Sequence, residues 1–180
     1  IDSMVEISGI SGQVGVVSSA SGSARWTCDN TIVISEIYRL MEPRLSKKKC
    51  NRNESLVVIK NELNEIGVRE SCLSSLLKPC IDGAIIWTKI PRMTILCFVK
   101  IENTGNSVTT CIFNCVSLAL LHAGIALNYS FAGVCVQPEK NISKDTNYHD
   151  THSMDVIIKN TGTIYAIEGN VDADEVWDRN

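Results

Sequence analysis

The densest gathering of chemically able side chains is Tyr148-His149-Asp150-Thr151-His152, two imidazoles and a carboxylate in a polar stretch that also holds Glu139 and Asp145. Imidazole nitrogen and carboxylate oxygen suit zinc and related ions, but a metal site also needs a fixed backbone and further ligands. Histidines three apart in a polar loop are therefore read as solvated, and no metal or other cofactor is expected. A second concentration is cationic: Arg44, Lys47, Lys48, Lys49 and Arg52. Its plain reading is a solvated loop. Its functional reading is contact with phosphate groups, which carries affinity without reading sequence. Arg92 and Lys78 are weaker candidates for the same contact.

Thiols supply the third group. Eight cysteines occur without a C-x-x-C pair, which argues against a zinc site or a disulfide framework and for reduced thiols. Cys111 and Cys115 lie four apart and are read as small apolar residues on a buried helix face. His122, at the end of the same apolar run, is read as a hydrogen-bonded tip near a helix C-terminus rather than a catalytic group.

Composition bounds what these groups can do. The 180 residues, 44% hydrophobic and 21% charged, suit one compact core, so 1–180 is taken as a single domain. A formal net charge of -3 excludes the strongly basic surface of an autonomous nucleic-acid binder. Any nucleic-acid contact must then be local or shared with partners, and no DNA contact is expected. The span Asn103 to Pro138 has no charged residue, yet Thr, Ser and Asn interrupt it too often for a membrane span of ~20 apolar residues.

The elements that must position these groups begin as strands at Gly12 to Val17, Ser23 to Cys28 and Thr31 to Leu40, with Gly22 and Asp29-Asn30 supplying turns. This predicts an antiparallel meander. Ser55 to Lys60 is a further strand. From Val68 to Ile86 the residues Val68, Cys72, Leu73, Leu76, Leu77, Ile81, Ala84 and Ile85 recur at helical spacing. Pro79 inside that run predicts a kink or two shorter helices. Met93 to Ile101 is a strand. A second helix, capped by Ser107 and stopped by Ala123-Gly124, is apolar on nearly every side and must be covered on both faces. Tyr129 to Gln137 is a strand, Asp155 to Lys159 and Thr163 to Glu168 form a hairpin about Asn160-Thr161-Gly162, and Val171 begins a helix cut short by the end of the chain. The pattern is α+β.

Three stretches in order carry a family resemblance. They are SGSARWTCDNTIVISEIY (Ser21 to Tyr38), PRMTILCFVKIENTGNSVTTCIFNCVSLALLHAGI (Pro91 to Ile125) and MDVIIKNTGTIYAIEGN (Met154 to Asn170). Together they resemble the RNase PH family, and within it the short ring subunits of the eukaryotic exosome. The resemblance implies the fold of the second domain of ribosomal protein S5, with strand-rich sheets and two main helices. It also implies partnership with other RNase PH-like subunits as a heterodimer within a six-membered ring, contact with RNA, and residence in nucleus, nucleolus and cytoplasm.

The family's chemistry is attack of inorganic phosphate on the terminal phosphodiester of RNA. It needs an anion cradle at a helix N-terminus, reinforced in the family by an arginine in a "D-G-G-T-R-T" turn. Here the turn reads Thr104-Gly105-Asn106-Ser107-Val108-Thr109, with Val108 at the arginine position. Valine brings neither charge nor donor. Counting back from Met154 sets the family's two aspartates at Asn141 and Asn147, which cannot ionise and so cannot act as general acid or base. A small alignment shift would instead bring Asp145 or Asp150 into place. The resemblance thus implies a non-catalytic scaffold that helps hold and thread RNA during 3'-to-5' processing and degradation. Two readings stand against it: an active phosphorolytic or metal-dependent 3' exoribonuclease, and an isolated RNA-binding protein that merely shares the fold.

Overall fold

The computed structural model describes residues 9–41, 54–91, 93–105, 108–136 and 154–169. Three strands open the chain, β1 (Ile10–Val14), β2 (Gly22–Cys28) and β3 (Thr31–Met41), paired antiparallel in sequence order as the turn residues require. Asp29 takes the left-handed conformation, φ 50, at the β2 to β3 turn, a conformation Asp and Asn tolerate better than other side chains. Strand β4 (Glu54–Lys60) and strand β5 (Met93–Asn103) complete a five-stranded sheet of order β1-β2-β3-β5-β4. The β4–β5 pair is parallel. A parallel pair needs a crossover, and helix α1 (Val68–Ala84) provides it.

Helix α1 differs from its expected form in two ways. It runs unbroken through Pro79 as one helix of 17 residues. Pro79 and Ser75 both face solvent, so the ring lies on the wet side and the Ser75 carbonyl that loses its N–H partner can be hydrated. The buried stripe is also narrower than the spacing implied. Leu73, Leu77, Cys80, Ile81 and Ala84 face the core, whereas Val68 and Cys72 are exposed. Glu70 turns back at the start of the helix, its Oε2 accepting the Gly67 N–H at 3.0 Å. That is one half of a capping box.

Helix α2 (Val108–His122) is covered on both faces, as its uniform apolarity requires. One side packs on β2 and β3 of the first sheet, the other on β6 (Phe131–Val136) and β7 (Met154–Lys159) of a second sheet, which β8 (Ile164–Gly169) closes in the order β6-β7-β8. The helix ends in a Schellman motif: Gly124 has φ 65, its N–H bonds the Leu121 carbonyl at 3.0 Å, and the Ile125 N–H bonds that of Leu120 at 3.4 Å. Asn114, a polar residue mid-helix, clamps β6 by donating to Gly133 O at 3.0 Å and accepting from Gly133 N at 2.8 Å. Gly162, φ 82, makes the β7 to β8 turn. The core runs through Ile37, Ile59, Cys97, Val99, Ile112, Phe113, Val116 and Leu120. Among the described residues no helix is long and apolar enough to cross a membrane. The expected strands and hairpin are present within one to three residues of their predicted ends, the first strand lying two to three residues earlier than expected. The expected helix from Val171 lies outside the described residues.

Candidate functional site

The turn that should grip an anion lies between β5 and α2. Its glycine is fixed by close approach: a Cβ on Gly105 would lie 3.1 Å from Thr31 N and would overlap the Thr31 hydroxyl. Thr31 itself is buried at the start of β3, so the β2 to β3 turn forms one wall of the site. Just before the turn, the Thr104 N–H donates to Glu62 Oε1 at 2.5 Å, placing a carboxylate of the β4 to α1 connection beside the backbone.

Val108 opens α2 with its side chain 2% exposed, turned into the core and not towards solvent where an anion would arrive. Thr109 and Thr110 are also buried. Thr110 Oγ1 donates to Asp155 Oδ1 at 2.9 Å, tying β7 to the first turn of the helix. Among the described residues no lysine or arginine bonds to Thr104, Gly105, Val108, Thr109 or Thr110. Arg25 is engaged across the outer face of the first sheet with Glu102 at 3.2 Å. Backbone N–H groups and a helix dipole favour anions, but among the described residues the charged side chains bonded at this end of α2, Glu62 and Asp155, are carboxylates.

One turn further in, burial pushes the Cys111 thiol up to about 12, with the neighbouring Cys28 and Asp155 acting in the same direction. Cys115 is pushed up to about 11 by burial, partly offset by its bond to Ser35. Its sulfur lies 3.3 Å from both Ala24 O and Val33 O and 3.2 Å from Ser35 Oγ. These are packed protonated thiols, not nucleophiles. Cys28, Cys72, Cys80, Cys97, Cys111 and Cys115 form no disulfide.

Of the residues singled out in the sequence, Gly105, Val108 and Thr109 come together at the N-terminal end of α2. Asn106, Ser107, Arg44, Lys47, Lys48, Lys49, Arg52, Arg92, Asn141 and Asn147 lie outside the described residues, as do Asp145, Asp150 and the Tyr148 to His152 stretch. Lys78 is not a free cation: its Nζ bonds the Ser55 carbonyl and pairs with Glu54 at 3.4 Å and Asp82 at 3.7 Å. His122 is hydrogen-bonded, with Nδ1 accepting the Ser23 N–H at 3.2 Å, so its partner is strand β2 and not the end of its own helix.

Asp155 is the residue the sequence reading missed. Along β7 it shares the inward parity of the fully buried Ile157, and a carboxylate at an inward position of a half-buried strand needs a partner. That carboxylate against the strand's apolar alternation was the available signal.

A buried helix held between a five-stranded mixed sheet and a three-stranded antiparallel sheet, with a glycine turn at its N-terminus, defines the class of RNase PH-type folds. The model of the 3' exoribonuclease family, domain 1, matches residues 6–126, more than half of the chain, and the chain belongs to that family. It is similar to a protein of Arabidopsis thaliana named exosome complex component RRP41-like, 33% identical over 123 residues that cover 64% of this chain and 47% of the relative. The exosome complex component rrp46 of Schizosaccharomyces pombe is 24% identical over 134 residues, 74% of this chain and 59% of the relative. The chain spans about half the length of the curated relatives it matches. Among solved structures, rice (Oryza sativa) Rrp46 superposes with a TM-score of 0.77 at 21% identity, covering 92% of this chain and 82% of the other. The Archaeoglobus fulgidus exosome with RNA bound to its active site gives a TM-score of 0.72 at 11% identity, covering 92% and 80%. At these identities the structural likeness shows the fold.

Proposed function

We propose that this chain is a non-catalytic subunit of an exosome ring, pairing with other RNase PH-like subunits in a six-membered assembly that threads RNA for 3'-to-5' processing and degradation. The reading takes its assembly from relatives named as exosome components and its lack of chemistry from one observation. Val108 is buried in the core at the position where the family's turn carries an arginine. Without a guanidinium, a multiply charged phosphate would have to leave water for backbone dipoles beside the Glu62 and Asp155 carboxylates, which repel it. The same reading sets the protein's work in ribosomal RNA maturation and RNA turnover, in nucleus, nucleolus and cytoplasm. It assigns RNA contact to Arg44, Lys47, Lys48, Lys49, Arg52 and Arg92.

The test has two arms. Purified chain incubated with end-labelled RNA, with and without phosphate and divalent metal, is expected to release no nucleoside diphosphate or monophosphate. Mixed with candidate RNase PH-like subunits, it is expected to elute as a stable one-to-one pair. Monomeric behaviour at all concentrations, beside tight salt-dependent RNA binding, would favour an isolated RNA-binding protein.

A second reading, an exoribonuclease in its own right, draws on the Thr110–Asp155 bond, which sets a carboxylate at the first turn of α2. Phosphate- or metal-dependent product release abolished by Asp155→Asn would establish that reading and end the first.

A further inference from the structure

At the end of β7, Lys159 Nζ lies 4.5 Å from the centre of the Tyr129 ring and 5.3 Å from that of Tyr165. All three side chains are half-buried. Tyr129 is seated on α1. Its hydroxyl donates to the Cys80 carbonyl at 3.4 Å, and a Cβ on Gly83 would come within 2.6 Å of that oxygen, so glycine there is what lets the ring lie against the helix. Tyr165 arrives from the other side. The pairing of β7 with β8 passes from Ile157–Ala166 to Ile158–Ile164, which leaves Tyr165 as the extra residue of a bulge. A bulge re-aims the side chain it carries, and here the ring meets Lys159.

Aromatic faces attract an ammonium but supply no acceptor oxygen for its three N–H donors. Among the described residues no carboxylate pairs with Lys159, and its Nζ has no hydrogen-bond partner. The cluster furnishes no counter-charge of its own. Burial raises the Tyr129 and Tyr165 phenols and pushes the Cys80 thiol up to about 12, so all three are neutral near neutral pH. Asp82, which acts on Tyr165 from α1, is held by Lys78 at 3.7 Å and accepts the Ser55 N–H at 3.2 Å. An ammonium stripped of part of its water is unfavourable until it is paired, and an anion from outside would pair it. The Tyr165 hydroxyl, likewise without a partner among the described residues, adds a second donor.

The walls select among anions. Rings beside a single cation suit an anion carried on a flat or sugar-like body, and a single-stranded nucleic acid has both. An acidic peptide brings its charge on a flexible aliphatic stem and gains less from the rings. We infer that Lys159 and the Tyr165 hydroxyl bind a phosphate of single-stranded RNA where the second sheet meets α1, with the Tyr129 and Tyr165 rings against the adjoining ribose or base. This site is separate from the turn before α2, and it rests on the proposed function for RNA as the ligand.

Full-length chain and a fluorescein-labelled oligouridine, followed by anisotropy over a range of salt, test it. Lys159→Met keeps the stem on the rings and removes the charge. It is expected to weaken binding about tenfold and to make the salt slope shallower by about 0.7, the share of one single-strand phosphate. Lys159→Arg is expected to restore both, and Tyr165→Leu to weaken binding about fivefold or more with the slope kept. An oligomer carrying 4-thiouridine is expected to crosslink to Tyr129 or Tyr165 in the unaltered chain, which decides the matter should Lys159→Met fail to fold. Absent binding, unchanged affinity and slope in Lys159→Met, or crosslinks that avoid both tyrosines overturn the inference. So does displacement of the oligomer by uridine monophosphate or inorganic phosphate at equal phosphate concentration, which would make the ligand a free phosphate. Equal Lys159-dependent binding of a polyglutamate peptide overturns it as well. Failure to pair with RNase PH-like subunits, with the RNA results as expected, would remove the ring and leave this site in place.

Discussion

Gly105 and Val108 carry opposite kinds of constraint within one turn of backbone. Gly105 has no room for a side chain because the buried Thr31 lies against it. Gly105→Ala is therefore expected to lower stability by about 1–3 kcal/mol, the usual range for overpacking a site that cannot give way, seen as a lower thermal midpoint. Val108 has room only for an apolar group. Restoring the family's arginine by Val108→Arg is expected to destabilise by roughly 3 kcal/mol or more, because the guanidinium would be buried without a partner. Millimolar phosphate should not recover the lost stability. A thermal shift upwards on adding phosphate to Val108→Arg would mean that the side chain reaches an intact anion pocket, and would count against a core role for this position. That position 108 carries an uncharged, apolar side chain was legible from the sequence alone. The carboxylate of Asp155 was not, because its partner Thr110 is 45 residues away in sequence.

At the scale of elements, α2 is held by close backbone approach at its C-terminal end. A Cβ on Gly22 would lie 2.5 Å from both the Cβ and the N of Ala123 and 2.6 Å from Ala119 O. The start of β2 thus rests directly on the last turn of the helix, with His122 accepting the Ser23 N–H beside it. Gly22→Ala must push strand and helix apart and is expected to cost about 2–4 kcal/mol, since the obstacles are backbone and Cβ atoms that no rotamer change can move. Urea unfolding would show it as a lower midpoint with an unchanged slope. Helix and strand identities were readable because apolar periods of 3.6 and 2 are local. Pro79 left one helix or two open, because whether it divides a helix depends on which face meets water, and that is set by how α1 lies on the sheet.

At the scale of the whole molecule, the two sheets close around α2 and keep its thiols in the protonated form. Cys111 is pushed up to about 12 and Cys115 to about 11, each chiefly by burial, and Cys80 of α1 is likewise pushed up to about 12. The folded-state values lie above the ordinary value of 9.0, so above that pH the unfolded chain loses protons that the native state keeps. The stability tied to these groups is complete below the unfolded pKa and is lost as pH rises from there towards the folded values. Unfolding midpoints measured at about pH 8 and about pH 10.5 should therefore fall, with a shallower fall in a Cys111→Ala, Cys115→Ala double variant. An identical slope in that variant would assign the alkaline loss to other groups.

Order along the chain, the period of its apolar residues and its turn chemistry determined by themselves the meander, the two helices and the closing hairpin. Each is written in residues near one another, where sterics and solvent exposure act locally. Tertiary structure alone decided that β4 runs parallel to β5 at the sheet edge, that α2 lies between two sheets, that Lys78 is bound by Glu54, Ser55 and Asp82, and that Asp155 meets Thr110. Those pairings join residues far apart in sequence. Their energy exists only once burial has made an unpaired charge or backbone group too costly to leave alone.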